Sequence, residues 1–228
     1  MNIENPITIE KVDMINTLRY LGYGDHTPDD NMQKIIEECE EELLRVVKPN
    51  YIYKVFDITK DYNIVDCNFK LEGQDIKKHL YGCEKVVLMC VTLSGEVDRL
   101  IRTSQIKGVT NATIIDAMAS AMVEQVCDKV EDRIRERFDE QFGFTWRYGL
   151  GYGDFPLENQ KQFLNVLDAT KKIGVAVSPG MMLTPTKSVT CVIGVGRKNI
   201  VDSGQRSCSN CNFNDRCQYK TRRSSCGR

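Results

Sequence analysis

The sequence lacks most of the features that assign a protein to a class at first reading. It has only two histidines, His26 and His79, so it offers little for general acid–base catalysis. It has no apolar run of about 18 residues, which a membrane-spanning helix requires, and no Gly-x-x-x-x-Gly-Lys-Ser/Thr loop for nucleotide phosphates. Its first residues carry neither the basic nor the apolar segment of a secretory signal, which predicts a cytoplasmic protein.

The charge balance argues against two kinds of partner. The sequence has 31 Lys and Arg against 32 Asp and Glu, and its net charge is −1. Proteins that bind nucleic acids or anionic membranes usually carry a basic surplus. We therefore expect neither nucleic acid nor membrane as a partner.

Cysteine is abundant, and the ten cysteines fall into two sets. Six are scattered through apolar or amphipathic segments, where free cysteine acts as a small buried hydrophobe. These are Cys39, Cys67, Cys83, Cys90, Cys127 and Cys191. The other four cluster near the end of the chain, and in a cytosolic protein such a cluster is more typical of a metal site than of disulfides. These are Cys208, Cys211, Cys217 and Cys226.

The spacing of the four clustered cysteines leaves the metal open. It matches neither the common ferredoxin patterns nor a standard zinc ribbon, so an iron–sulfur cluster, zinc and free thiols all stay open. From Arg197 onward the chain carries eight Lys or Arg against two Asp. One interpretation is that these cations only keep the chain soluble. The other is that they offset the charge of bound thiolates or dock an acidic electron donor. We therefore separate a basic Cys-rich tail, 197–228, from the main domain, 1–196.

The apolar spacing along the main domain predicts a mixture of helices and strands. Helices are expected at 8–21, 28–47, 74–82, 97–104, 111–139 and 157–172. Strands are expected at 51–56, 64–69, 85–93, 175–177 and 188–196, with 85–93 apolar enough for a buried central strand. Because these elements show no clean βαβ rhythm, we expect the α+β class, with long helices and a mixed or antiparallel sheet.

A glycine-rich stretch at 147–156 is the first candidate for a binding site. Its sequence is Arg-Tyr-Gly-Leu-Gly-Tyr-Gly-Asp-Phe-Pro. Alternating glycines let a backbone approach a ligand, and Arg147 carries a planar fork of donors suited to a carboxylate. The alternative is a turn between two helices whose aromatic residues cover the core. A dinucleotide fingerprint is excluded, because Asp154 and Pro156 interrupt before the next helix.

Glu124 is the second candidate. It lies on the predicted helix 111–139, beside Val123 and Val126 on the better-buried half. A carboxylate in such a place needs a cationic partner or a ligand amine. The alternative is a partly exposed glutamate paired with a nearby cation.

Three stretches together resemble a known family. They are Asp-Ala-Met-Ala-Ser-Ala-Met-Val-Glu at 116–124, the glycine-rich stretch at 147–156, and Val-Ser-Pro-Gly-Met-Met-Leu-Thr-Pro at 177–185. The chain resembles the S-adenosylmethionine-binding activation domain of cobalamin-dependent methionine synthase, in the free-standing form found in some anaerobes. Residues 18–23 are also typical of those free-standing members, and the resemblance spans roughly residues 10–196.

The resemblance implies both a ligand site and a function. S-adenosylmethionine would be held by Glu124, Arg147, the backbone at Gly149, and Tyr152. The family's Arg-Pro-Ala-Pro-Gly-Tyr is here Arg-Tyr-Gly-Leu-Gly-Tyr, so the loop departs from the pattern. The domain would serve the reductive remethylation of inactive cob(II)alamin on a partner methionine synthase, with an electron from a flavodoxin- or ferredoxin-like donor. The chain would act by positioning, and it lacks the Asp-x-His-x-x-Gly sequence that ligates cobalamin in the synthase.

Alternative functions remain open at this stage. One is a module that senses S-adenosylmethionine or binds a metal without catalysis, and another is reactivation of a different corrinoid methyltransferase. A third is a nucleic-acid-binding zinc protein built on the basic tail, which the net charge disfavours.

Overall fold

The computed structural model describes residues 6–23 and 26–201 of the chain. These residues form two compact units. Unit 1 comprises the chain up to Ile52, Cys90–Ile134 and Leu167–Val189. Unit 2 comprises Tyr53–Met89, Arg135–Val166 and the residues from Thr190 onward. The four tail cysteines lie outside the described residues, so the predicted metal site is not part of the structure.

Helices and strands alternate irregularly along the chain, and the predicted α+β class is confirmed. The helices are α1 Met14–Tyr20, α2 Asp30–Val46, α3 Gln74–His79, α4 Gly95–Lys107, α5 Val109–Arg135, α6 Gln160–Leu167 and α7 Ala169–Ile173. The strands are β1 Asn50–Asp57, β2 Cys83–Thr92, β3 Phe142–Phe144, β4 Tyr148–Gly149, β5 Ala176–Val177, β6 Leu183–Thr184 and β7 Ser188–Arg197. A short 3-10 helix, Leu157–Asn159, precedes α6. No helix of the described residues is long and apolar enough to cross a membrane.

The main sheet has the strand order β1-β2-β7-β3, and β4 also pairs with β7. β3 and β4 both run antiparallel to β7. The stretch Val86–Val91 of β2 is completely buried, and β2 lies between β1 and β7. The prediction of a buried central strand is therefore confirmed. A separate antiparallel pair is formed by β5 and β6.

The core of unit 1 is built around α5. Small side chains keep the first half of this helix thin, since Ala117, Ala119 and Ala121 are all buried. Its second half also keeps one buried face. That face comprises Val126, Cys127, Val130 and Ile134. The charged residues after Asp128 lie between these positions and are exposed or half-buried.

The core of unit 2 contains three fully buried phenylalanine rings. The ring of Phe69 meets those of Phe155 and Phe163 edge to face, with centroids 6.3 and 5.5 Å apart. Edge-to-face pairs of this kind stabilise a core beyond the area that they bury. They also hold the end of the glycine-rich stretch, because Phe155 belongs to it.

Two predicted elements differ from the structure at the start and middle of the chain. The first helix begins only at Met14, because the Asp13 carboxylate caps it by accepting from the backbone N–H of Asn16 at 3.0 Å. The segment before it is held instead by a side chain of α2, since Glu40 Oε1 accepts from the Val12 N–H at 2.8 Å. The predicted strand 64–69 reduces to isolated bridges, Ile58 with Ile64 and Asn63 with Lys70.

The predicted helix 157–172 is broken into three pieces, the 3-10 helix, α6 and α7. The break between α6 and α7 falls at Asp168, whose φ of 59° lies in the left-handed region. The short strands β3 and β4 were missed, since stretches of two and three residues carry no periodicity to detect.

Candidate functional site

Unit 1 contains a cavity of about 440 Å³. It is bordered by the end of α1, one face of α5, and the segment Thr186–Ser188 at the start of β7. Its polar lining consists of Tyr20, Thr113, Asp116, Ser120, Glu124, Thr186, Lys187 and Ser188. The cavity volume falls within the range of about 300–1,000 Å³ that is usual for small-molecule sites.

The segment Thr186–Ser188 is fixed by hydrogen bonds within unit 1. The backbone N–H and hydroxyl of Thr186 donate to the Asp98 carboxylate at 2.8 and 2.6 Å. The Lys187 carbonyl accepts from the Leu93 N–H at 3.0 Å. The Ser188 hydroxyl lies 2.8 Å from that of Thr92. These bonds hold the backbone in one conformation and so fix where the Lys187 side chain begins.

Lys187 extends into the cavity as its cationic group. Its ammonium lies 2.8 Å from Asp116 Oδ1 and donates to the Ser120 hydroxyl at 2.9 Å. Only 12% of the Lys187 side chain is exposed, against 53% of that of Asp116. The cavity therefore presents a largely buried ammonium next to a more exposed carboxylate.

Glu124 contributes a second carboxylate to the lining of this cavity. It follows Asp116 and Ser120 at intervals of four residues, so all three lie along one face of α5. Glu124 is half-buried, as its position beside the buried Val123 and Val126 predicted. The cavity thus combines negative and positive groups at short range.

The other predicted ligand residues lie in unit 2. Arg147 is half-buried directly before β4, and Gly149 is paired with Cys191 of β7. The ring of Tyr152 lies against Gly149, where an added Cβ would meet Cε1 and Cζ at 3.6 Å. Tyr152 itself is 50% exposed. Arg147, Gly149 and Tyr152 therefore lie before, within and after one short strand.

The turn after β4 is tight and is attached to α3. Gly151 and Gly153 have positive φ angles of 85° and 54°, which favour glycine. The Asp154 carboxylate accepts from the backbone N–H groups of Gln74 and Asp75 at 2.6 and 3.0 Å and so caps α3. These hydrogen bonds, first that from Gln74, hold the pKa of Asp154 below its usual value.

Tyr148 anchors the same turn from the inside. Its ring is buried, and its hydroxyl donates to the Tyr152 carbonyl at 3.3 Å. Burial, together with the nearby Asp75 and Asp154 carboxylates, raises the pKa of Tyr148 to about 12. The His79 ring lies 4.8 Å from the Tyr148 ring, and its Nε2 lies 2.9 Å from the Trp146 carbonyl. The stretch thus has a packed interior and one exposed aromatic ring.

The structure distributes the predicted residues as follows. Glu124 lies in unit 1, whereas Arg147, Gly149 and Tyr152 lie in unit 2. That all four hold one ligand remains a prediction. Within residues 6–23 and 26–201, no group of three or more His, Cys, Asp or Glu side chains is arranged to hold a metal ion.

Lys187, Asp116 and Ser120 were not among the predicted site residues. A signal was present for two of them, since Asp116, Ser120 and Glu124 follow one another at intervals of four on a helix. No local signal marked Lys187, because its position depends on hydrogen bonds to residues far away in the sequence.

The fold has a solved counterpart. It is similar to the crystal structure of the MetH reactivation domain bound to AdoHcy, with a TM-score of 0.62 and 13% sequence identity. The match covers 83% of this chain and 77% of that one. No protein-family model and no curated protein matches the sequence. At this identity the similarity shows the fold alone, and it confirms the fold expected from the sequence resemblance.

Proposed function

We propose that this protein binds S-adenosylmethionine and supports the reductive remethylation of cob(II)alamin on a partner cobalamin-dependent methionine synthase. The observation that carries the proposal is the fold shared with the MetH reactivation domain bound to AdoHcy over 83% of the chain. Fold similarity alone does not imply function. The three sequence stretches that resemble the family give the proposal separate support.

The cavity of unit 1 has properties that suit the amino-acid end of S-adenosylmethionine. It combines two carboxylates and one ammonium, from Asp116, Glu124 and Lys187, in about 440 Å³. A zwitterion needs partners of both signs at short range. In the proposed complex, the Glu124 carboxylate accepts from the α-amino group of the ligand.

The glycine-rich turn of unit 2 carries the other three residues of the family pattern. Arg147 offers its guanidinium fork to a carboxylate, and Gly149 offers backbone groups without a side chain in the way. The half-exposed ring of Tyr152 provides a flat face for a sulfonium or a purine. Arg147, Gly149 and Tyr152 are carried over from the family pattern, and each is testable by substitution.

The chemistry assigned to the chain is positioning. When bound, S-adenosylmethionine supplies an activated methyl group, and a flavodoxin- or ferredoxin-like donor supplies the single electron that cob(II)alamin needs. The side chains named here would hold and orient the ligand, and they would not transfer protons. The corrin would arrive on the partner synthase subunit.

The cysteine-rich tail remains a separate prediction. Cys208, Cys211, Cys217 and Cys226 lie outside the described residues. An iron–sulfur cluster would suit the need for one electron, and zinc is the alternative. Metal analysis of anaerobically purified protein, beside a Cys208→Ser variant, would decide between them.

The first experiment is a calorimetric titration of S-adenosylmethionine into the full-length, anaerobically purified protein. Glu124→Gln and Arg147→Ala should each weaken binding about tenfold to a hundredfold, because each removes a charge-assisted hydrogen bond. The controls are Asp132→Asn, an exposed residue later on α5, and Arg102→Ala, an exposed residue of α4. Both control variants should bind like the wild type.

The second experiment measures remethylation directly. Protein, a cobalamin-bearing synthase, S-adenosylmethionine and a reductant are mixed, and loss of the cob(II)alamin absorbance is followed. Methylcobalamin that forms only when the protein is present supports the proposal. Binding without remethylation on any corrinoid partner would favour a sensing module. A wild type that fails to bind S-adenosylmethionine, alone and with the partner present, would refute the proposal.

A further inference from the structure

The cavity of unit 1 contains a cation that none of the family-derived predictions uses. The Lys187 side chain is largely buried, and its ammonium contacts Asp116 and Ser120. An ammonium has three N–H donors, and these two contacts account for two of them. A ligand that enters the cavity would use the third donor.

The Lys187 side chain is well prepared to bind. Its backbone is fixed on both sides, by the Thr186 bonds to Asp98 and by the Ser188 contact with Thr92. Its ammonium is oriented by partners at 2.8 and 2.9 Å. A group held in this way loses little additional conformational freedom when a ligand binds.

The surrounding charges select the class of anion. Asp116 lies beside the ammonium, so a multiply charged anion such as phosphate would be repelled by this carboxylate at close range. A carboxylate that is accompanied by an amino group has no such difficulty, because the amino group can face the acidic side chains. The chemistry of the cavity therefore fits an α-amino-acid group.

We infer that Lys187 is a specificity-determining residue that binds the carboxylate of the ligand's amino-acid end. The inference rests on the proposed binding of S-adenosylmethionine and adds a contact that the family pattern does not contain. It assigns the recognition of the carboxylate to Lys187, within the cavity of unit 1.

The test compares two ligands on two proteins. S-adenosylmethionine and its decarboxylated analogue, which keeps the sulfonium and the amine, are titrated into wild type and Lys187→Met. The wild type should bind the decarboxylated ligand about tenfold to a hundredfold more weakly, since one charge-assisted hydrogen bond is lost. Lys187→Met should bind S-adenosylmethionine with a similar loss and should discriminate much less between the two ligands.

Two further variants keep the test decisive. Lys187→Arg retains a cation and should restore discrimination, which a merely structural role for Lys187 would not require. Lys171→Met changes an exposed lysine of α7 in the same unit and should behave like the wild type. If Lys187→Met fails to fold, as judged by circular dichroism, the comparison is made with Lys187→Gln.

The outcomes separate this inference from the proposed function. If the wild type binds S-adenosylmethionine but Lys187→Met discriminates between the ligands as strongly as the wild type does, the inference is overturned and the proposed function stands. A wild type that binds both ligands equally also overturns the inference. If the wild type binds neither ligand, with or without the partner, the proposed function is overturned and the inference falls with it.

Discussion

Gly153 offers a direct test of how the glycine-rich turn is built. Its φ of 54° lies in the left-handed region, which side-chain-bearing residues adopt at a cost. An added Cβ would lie 2.7 Å from the buried Tyr148 hydroxyl and would also collide with the Asp75 carboxylate. Gly153→Ala therefore introduces both backbone strain and a steric conflict.

The two effects can be estimated separately. Left-handed backbone costs about 1–2 kcal/mol for a residue with a Cβ. Overpacking a closely packed site costs about 1–3 kcal/mol more. Asp75 can move, because 39% of its side chain is exposed, whereas Tyr148 is buried and cannot move easily. We therefore expect Gly153→Ala to lower the free energy of unfolding by about 2–5 kcal/mol.

Two matched variants isolate the two contributions. Gly174 has a similar φ of 71° with no atom near an added Cβ, so Gly174→Ala should show the strain alone, about 1–2 kcal/mol. An added Cβ on Gly180 would have its nearest neighbour, Ser178 Oγ, at 3.9 Å, so Gly180→Ala should have little effect. Equilibrium unfolding in urea, followed by circular dichroism, measures all three. The reasoning is wrong if Gly153→Ala is no more destabilising than Gly174→Ala.

Two further predictions follow from the pKa shifts. Asp154 has a lowered pKa, chiefly because its carboxylate accepts a hydrogen bond from the Gln74 N–H. The contribution of Asp154 to stability is therefore fully present above the ordinary carboxyl pKa of about 4. It is lost as pH falls through the lowered pKa of the folded state. Asp154→Asn should therefore lessen the fall in urea midpoint between about pH 6 and pH 3. Equal pH dependence in wild type and Asp154→Asn would contradict this. Partial burial raises the pKa of the Cys83 thiol to about 12, so at pH 9 roughly one thiol in a thousand is ionised. Iodoacetamide should therefore label Cys83 much more slowly in the native protein than after denaturation, as read by mass spectrometry. Equally rapid labelling in the two states would contradict the raised pKa.

The long elements could be predicted because their sequences repeat one pattern over many residues. The 27 residues of α5 keep an apolar side at helical spacing, and β2 has a run of apolar residues too short for anything but a buried strand. The elements that failed were short or decided by remote partners. The segment before Met14 has helical spacing, yet Glu40 holds its backbone in another conformation.

The glycine-rich turn was recognised by composition, but its construction was not. Gly151 and Gly153 adopt positive φ angles, which favour glycine, whereas close approach of the backbone to a ligand stays a prediction. The role of Asp154 depends on α3, which lies almost eighty residues earlier, so no local pattern could reveal that it caps that helix. Long-range capping has no spacing rule in the sequence.

The cavity of unit 1 contains both kinds of feature within one site: those that a local sequence pattern predicts and those that depend on remote contacts. Asp116, Ser120 and Glu124 form a face that the geometry of a helix makes readable from spacing alone. Lys187 joins them because Thr186 bonds to Asp98 and Ser188 contacts Thr92, at sequence separations of 88 and 96 residues. A row of polar residues on a helix is usually only a solvated surface. Here the largely buried Lys187 side chain lies opposite that row, so the row forms one wall of a cavity that contains groups of both charges. No motif marks Lys187, yet its substitution tests the site most directly.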